Sequence, residues 1–338
     1  MFSAKAIDGL WIESYLSQKL RIFSQAMWLR RSRQSAGDNW KSVIFSPGRI
    51  DIASVLRRTD ERPMVSEWET FAFAGTELDA LKRLRGHLRG RCTTLLGHGQ
   101  YQILQVDAPQ VPAAERAQAV RWRVKEMVDF PIDQAGIDVL DIPVAQGSGS
   151  RAPQLFAVVA AHAALVPRIH LFQDAKLDLK VIDIPELAQR NIAALFEEEN
   201  RGLALLSFDN DGGRLTFTYQ GELYATRHID VSLKELATAS GDAPGGVFER
   251  VLLDVQRSLD NFDRNFSFIT LTRLLVAPIP GAAAFVAYLK DNLYQPVELL
   301  DLAKVLDISA IPALADAGHQ AEALLVIGAA LREESMAT

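Results

Sequence analysis

Residues 203 to 230, LALLSFDNDGGRLTFTYQGELYATRHID, constrain the fold of this chain more than any other stretch. Leu203 to Leu206 is a continuous apolar run, as expected of a strand covered on both faces. Asp209, Asn210, Asp211, Gly212 and Gly213 then form a turn, after which Leu215, Phe217 and Tyr219 alternate along one face of a second strand. A further turn at Gln220 and Gly221 leads into a third strand, Glu222 to His228. The pattern predicts a three-stranded antiparallel meander. Its first turn bears glycines and could offer backbone N–H groups to an anion.

Composition bounds the rest. A chain of 338 residues, 49% hydrophobic and 23% charged, is long enough for two ordinary globular domains. One cysteine, Cys92, excludes an internal disulfide, and the six histidines show no metal-ligand spacing, so a reducing compartment and no structural metal are expected. A net charge of -6 argues against nucleic acid as a partner.

That charge is uneven. Residues 1–33 carry Lys5, Lys19, Arg21, Arg30, Arg31 and Arg33 against Asp8 and Glu13, a net of +4. Leu16, Leu20, Phe23 and Met27 recur at helical spacing there, which predicts an amphipathic basic helix in an N-terminal extension and linker, residues 1–38. Two readings stand: peripheral contact with an anionic membrane, or packing on the protein's own body or on another copy by self-association. The segment lacks the form of a signal peptide, and no apolar run reaches the ~20 residues of a membrane-spanning helix.

From residue 39 the pattern reads strand (41–45), turn (Ser46, Pro47, Gly48, Arg49), strand (50–56), strand (67–74) and a basic helix (77–89), whose arginines are read as a solvated face. A short strand pair is expected over 93–106, then a helix from Pro112 with the core stripe Ala113, Ala117, Val120, Val124 and Met127. Trp122 lies off that stripe, as an anchor for a partner or as cover for a neighbouring strand. Strand, helix, strand, helix follow to residue 199. Beyond the meander, Phe248, Val251, Leu252, Val255, Leu259, Phe262 and Phe266 mark a long core helix.

Several of these segments resemble a known family. FPIDQAGIDVLDIP (130–143), VIDIPELAQRNIAALF (181–196), GELYATRHID (221–230), VLLDVQRSLDNFDRNF (251–266) and IGAALREE near the end resemble the MshI family of MSHA biogenesis proteins. That family is similar to the type IV pilus assembly protein PilM and, more distantly, to the cytoplasmic part of the type II secretion protein GspL. The resemblance covers about Trp28 to Glu334. It implies an α/β, actin-like ATPase fold of two ribonuclease-H-like domains, 39–184 and 185–338, with a small inserted α+β subdomain at about 93–144. It also implies a cytoplasmic scaffold, peripheral at the inner membrane, that docks the cytoplasmic tail of a membrane-anchored PilN-like partner. The docking surface it points to is the insertion, where Trp122, Met127, Phe130 and Pro131 are apolar anchors and Arg121 and Arg123 could meet an acidic tail.

The nucleotide motifs of actin-like ATPases are eroded. The first hairpin turn, Ser46, Pro47, Gly48, lacks the leading Asp, and its proline removes an N–H donor. In the second, Ser207 stands where the Asp is expected, and Asp209 and Asp211 sit inside the turn with Gly212 and Gly213, where they repel phosphate unless a metal intervenes. In the third, the Gly-rich loop is replaced by Ala277, Pro278, Ile279, Pro280, Gly281. No catalytic residue, cofactor or metal is therefore expected; a weakly hydrolysing or non-hydrolysing Mg-ATP switch is the alternative to a scaffold.

Overall fold

The apolar periodicities fold as strands and helices close to where they were expected. The computed structural model describes residues 21–22, 40–57, 61–144, 152–239, 246–279 and 283–332. In chain order the first part gives β1 (Arg21–Ile22), β2 (Trp40–Ser46), β3 (Arg49–Leu56), β4 (Met64–Ala72), α1 (Glu77–Leu84) and β5 (Arg91–Leu95). Next come β6 (Gln102–Asp107), α2 (Ala113–Val124), β7 (Ala135–Ile142) and β8 (Gln154–Ala161). Then follow α3 (His162–Asp174), β9 (Asp178–Asp183) and α4 (Pro185–Phe196). The second part gives β10 (Gly202–Asp209), β11 (Gly212–Tyr219), β12 (Glu222–Ile229), α5 (Leu233–Thr238), α6 (Val247–Asn265), β13 (Leu271–Val276), α7 (Ala283–Asn292), β14 (Val297–Leu299) and α8 (Ala317–Ala330).

The predicted meander is β10–β11–β12, with Leu203 opposite Thr218 and Gly213 opposite Ile229. Its first strand is buried along Gly202–Ser207, which is why its sequence is continuously apolar. Two parallel strands extend it, giving the order β12-β11-β10-β13-β14. The other large sheet repeats this plan as β4-β3-β2-β5-β9, with β1 added at the β9 edge. In each half, three antiparallel strands are followed by two that run parallel to the first. The chain therefore uses one topology twice.

The two copies exchange their last helices. α4 follows the last strand of the first sheet but packs on β10, β11 and β12, whereas α8 follows the second sheet and packs on β2, β3 and β5. The strands of the first large sheet all precede residue 184 and those of the second follow it, whereas α8, near the end of the chain, packs on the first sheet. α4 and α8 cross closely. At the crossing, a Cβ on Gly328 would stand 2.2 Å from the Ala188 carbonyl oxygen, so only glycine admits the approach. Asn191 Nδ2 donates to the Gly328 carbonyl at 2.9 Å, and the buried Arg332 guanidinium pairs with the buried Asp183 carboxylate at the end of β9.

The inserted subdomain begins and ends later than expected. Arg91–Leu95 pairs with β2 and β9 in the large sheet and not with Gln102–Asp107, because it runs parallel to both. The insertion is the separate sheet β6-β8-β7 with α2 on one face. β8 is its centre strand, not a strand of the main sheet. Leu155, Ala157 and Val159 face α2, while Phe156, Val158 and Ala160 join the main core, so burial on both faces hides the period-two alternation that would have marked it. Of residues 1–38, only Arg21–Ile22 lies within the described residues, and it is strand paired with Val181–Ile182 where a helix was expected. Among the described residues, no helix is long and apolar enough to cross a membrane.

Gly328→Val is expected to cost about 3 kcal/mol or more, since the added side chain must push a backbone carbonyl out of a packed crossing. The urea unfolding midpoint checks this; an unchanged midpoint would mean that the two helices can part freely.

Candidate functional site

The β10–β11 turn and the N-terminus of α4 meet Tyr101, from the segment joining β5 to β6, at the junction, or cleft, between the halves. Pro185 at the first position of α4 ends β9 and starts the helix, which sets Glu186 in its first turn. The Tyr101 hydroxyl donates to Glu186 Oε2 at 2.5 Å. Glu186 Oε1 lies 3.7 Å from Arg214 Nε, and Arg214 Nη2 lies 3.2 Å from Asp209 Oδ2. Asp209 Oδ1 in turn accepts the Asp211 N–H at 2.8 Å. A tyrosine, two carboxylates and a guanidinium thus form one chain of polar contacts that ends in the turn.

Electrostatics reinforce this arrangement. Burial alone would lower the pKa of Arg214, but Glu186 and Asp209 more than offset it and hold it above the ordinary arginine value. Burial, followed by the Glu186 charge, holds the Tyr101 phenol well above its usual value, so it stays a donor. His98 of the Gly97-His98-Gly99 loop stacks on His228 of β12, with centroids 4.5 Å apart and planes 22° apart. Burial first, then His98 and Arg214, lower the His228 pKa and favour the neutral ring.

The predicted turn residues fall in different roles. Ser46, Pro47 and Gly48 do form the β2–β3 turn, with Gly48 at a φ of 71°. Ser207, which stands where the Asp is expected, is buried and donates to Gln189 Oε1 at 2.6 Å. Its hydroxyl is spent on α4 because alternation turns it into the sheet–helix interface. Gln189 Nε2 completes the joint, donating to the Leu205 carbonyl at 2.7 Å and to Thr216 Oγ1 at 3.0 Å. Gly212 and Gly213 are required by packing: a Cβ at Gly212 would meet the His228 ring at 2.5 Å, and one at Gly213 the Phe208 ring at 2.6 Å. Pro280 and Gly281 lie outside the described residues.

The predicted docking residues also divide. Trp122 (69% exposed) and Met127 (48%) present apolar surface to solvent at the end of α2, with Lys125 Nζ 5.9 Å from the indole centroid. Pro131 is exposed and precedes a short 3-10 turn. Phe130 instead packs partly against the subdomain core. Arg121 and Arg123 serve the subdomain itself: Arg121 donates to the carbonyls of Ile132 (2.6 Å) and Ala135 (3.2 Å), and Arg123 to that of Asp107 (2.9 Å). Loop carbonyls left free at sheet corners take up these guanidinium donors before a partner can.

Glu186 and Arg214, central to the cleft, were not singled out from sequence. The available signal was charge inside largely apolar segments: Asp183 and Glu186 in VIDIPELA and Arg214 in GGRLTF.

A duplicated five-stranded sheet with exchanged final helices is an actin-like fold, with the small α+β sheet inserted in the first half. No protein-family model matches the chain, and no curated relative matches it. It is similar in structure to a chain solved in a PilM–PilN type IV pilus biogenesis complex, with a TM-score of 0.63 and 16% identity over 86% of this chain and 97% of that one. It is also matched by the cytoplasmic domain of EpsL, an inner membrane component of the type II secretion system of Vibrio cholerae (TM-score 0.42, 12% identity, 83% of this chain and 95% of that one). A third match is a Bacteroides thetaiotaomicron protein of actin-like ATPase fold and unknown function (TM-score 0.47, 6% identity, 83% and 97%).

The Mg-nucleotide that an actin-like fold implies would meet, at the second turn, groups that are already engaged with one another. In that turn the Asp211 N–H is donated to Asp209, and Arg214 is already held by two carboxylates. What the arrangement can do is lock the cleft. Arg214→Leu leaves Asp209 and the buried Glu186 without their cation and is expected to cost about 3 kcal/mol. Denaturant unfolding reads the loss; wild-type stability in the variant would mean that water replaces the guanidinium at no cost.

Proposed function

We propose that the protein is a scaffold of a type IV pilus assembly machine, of the MSHA type and MshI family, acting at the inner membrane by holding the cytoplasmic tail of a PilN-like membrane-anchored protein. The observation that carries this reading is the β10–β11 turn, whose N–H, carboxylate and neighbouring guanidinium are engaged with one another and not presented to a ligand. A cleft closed from within is a joint that fixes two halves, and binding then falls to the outer surface. Similarity along 97% of a chain solved with PilN supports the choice of partner. Trp122, exposed on an α2 whose Val120 and Val124 are buried against the small sheet, supports the choice of surface. An exposed tryptophan on a rigid helix is the kind of residue on which interface energy concentrates.

Calorimetric titration with a peptide of the partner's cytoplasmic tail, and separately with Mg-ATP, tests the reading. Tail binding with no heat from millimolar nucleotide is expected, and Trp122→Ala should weaken the tail about tenfold or more with the melting temperature unchanged. Unaltered tail binding in Trp122→Ala would overturn the assigned surface. Micromolar Mg-ATP binding would shift the reading to a nucleotide-controlled switch on the same fold.

A further inference from the structure

The segment between β5 and β6 leaves the first large sheet after Leu95 and enters the inserted sheet at Gln102. Its two ends are tied by hydrogen bonds: the Leu96 N–H donates to the Asp183 carbonyl at 2.9 Å, and the Tyr101 hydroxyl donates to Glu186. Between them Gly97, His98, Gly99 and Gln100 form a tight turn. The Gln100 N–H donates to the Gly97 carbonyl at 3.2 Å, the Gly97 N–H donates to Gln100 Oε1 at 2.8 Å, and Gly99 has a φ of 76°. Those bonds are internal to the turn. What reaches across to the second half is the His98 ring, stacked on His228.

The His228 ring also lies on Gly212, whose missing Cβ leaves it room in the β10–β11 turn. The charges around the stack are uneven. Arg214 is the cross-strand partner of His228 on β11, and Asp209 in the turn is committed to Arg214. Glu186 of α4, at the loop's other end, is taken by Tyr101 and Arg214. Asp230, two residues on from His228, is the remaining carboxylate that acts on it. Other charges on and around β12 are engaged elsewhere. Arg227, on the opposite face of the strand, lies 4.0 Å from Asp254 of α6, and Glu222, at the far end, lies 3.9 Å from Arg190 of α4 with Asp141 of β7 nearby. Both imidazoles are exposed, so protons reach them from solvent.

Two stacked imidazoles are a packing contact while neutral and a pair of like charges once both are protonated, and histidine is the side chain that passes between these states near neutral pH. Here an arginine already stands beside the stack, so a proton added to His228 meets positive charge. We propose that the His98–His228 stack is a pH-operated latch: with neutral rings it holds the base of the inserted subdomain to β12, and on protonation it releases the β5–β6 loop. The sign follows from the neighbours. Burial, then His98 and Arg214, hold the His228 pKa below the ordinary value, so the closed joint takes its proton at lower pH than a free loop does. The latch's contribution is complete above about pH 6.5, the ordinary histidine value, and is lost as the pH falls through it toward the lower value of the closed joint. This inference stands apart from the scaffold reading, which needs no titrating group.

The test is hydrogen exchange of the full chain at about pH 7.5 and about pH 5.5, corrected for the intrinsic pH dependence of exchange and read in peptides covering residues 96–101. Leu96, Gly97 and Gln100 supply hydrogen-bonded amides there. In the wild type, opening of this segment is expected to rise about tenfold or more at the lower pH. His98→Phe keeps an aromatic ring that takes no proton and should stay closed at both values, whereas His98→Ala removes the ring and should stay open at both. Exchange in β2 and β3 is expected to match in all three proteins at both values, which separates release of the loop from loosening of the fold. The proposal is overturned if the wild type shows no change, or if His98→Phe opens with acid as the wild type does. It is equally overturned if His98→Ala is as closed as the wild type at the higher pH, or if β2 and β3 open in parallel with the loop.

Discussion

The crossing of α4 and α8 is the constraint on which the rest of this molecule depends. Each helix is made by one half and buried by the other, so neither large sheet has a complete core without the opposite half. The crossing needs a residue without a Cβ at Gly328, and it is bound on either side by Asn191 and by the Arg332–Asp183 pair. Buried ion pairs add little net stability against hydrophobic isosteres, yet they are costly to break one-sidedly. Here that asymmetry fixes the register of two helices that would otherwise slide, because Asp183 ends a strand of the first half and Arg332 follows the helix that returns to it.

Where the halves meet, the polar groups of the turn are engaged with one another. The hairpin turns keep their place and their glycines. The glycines answer to the His228 and Phe208 rings, and the Arg214 guanidinium and Tyr101 hydroxyl are satisfied by the carboxylates of Glu186 and Asp209. A buried polar chain of this kind stabilises only while complete, because low dielectric strengthens its bonds and raises the cost of any group left unpaired. The stacked His98 and His228 join the Gly-His-Gly loop of the first half to an outer strand of the second.

Much of the fold was legible in the sequence because periodicity and turns are local. The meander and the long amphipathic α6, with Phe217 stacked on Phe262, could be read residue by residue. The insertion was misplaced because β8 is buried on both faces and loses its alternation, and because β5 and β6, close in sequence, belong to different sheets. The site was less legible. Which side of a strand Ser207 faces, and whether Arg121 reaches a partner or the carbonyls of Ile132 and Ala135, depends on contacts far along the chain. A charge inside an apolar segment, as at Glu186 and Arg214, was the usable clue, since such a charge needs a partner that the sequence does not name.

The exchange of helices also bears on the order in which the protein can fold. A chain synthesised from its N-terminus makes β2, β3 and β5 early, but the helix that covers them is among the last elements to emerge. Until then one face of the first sheet has no permanent cover. Its contacts are among the most distant in sequence that the molecule makes, and such contacts slow folding because a long loop must close before they reward it. The second half, by contrast, receives α4 before its own strands are made. The first sheet therefore receives its last covering helix only after the strands of the second half have been made.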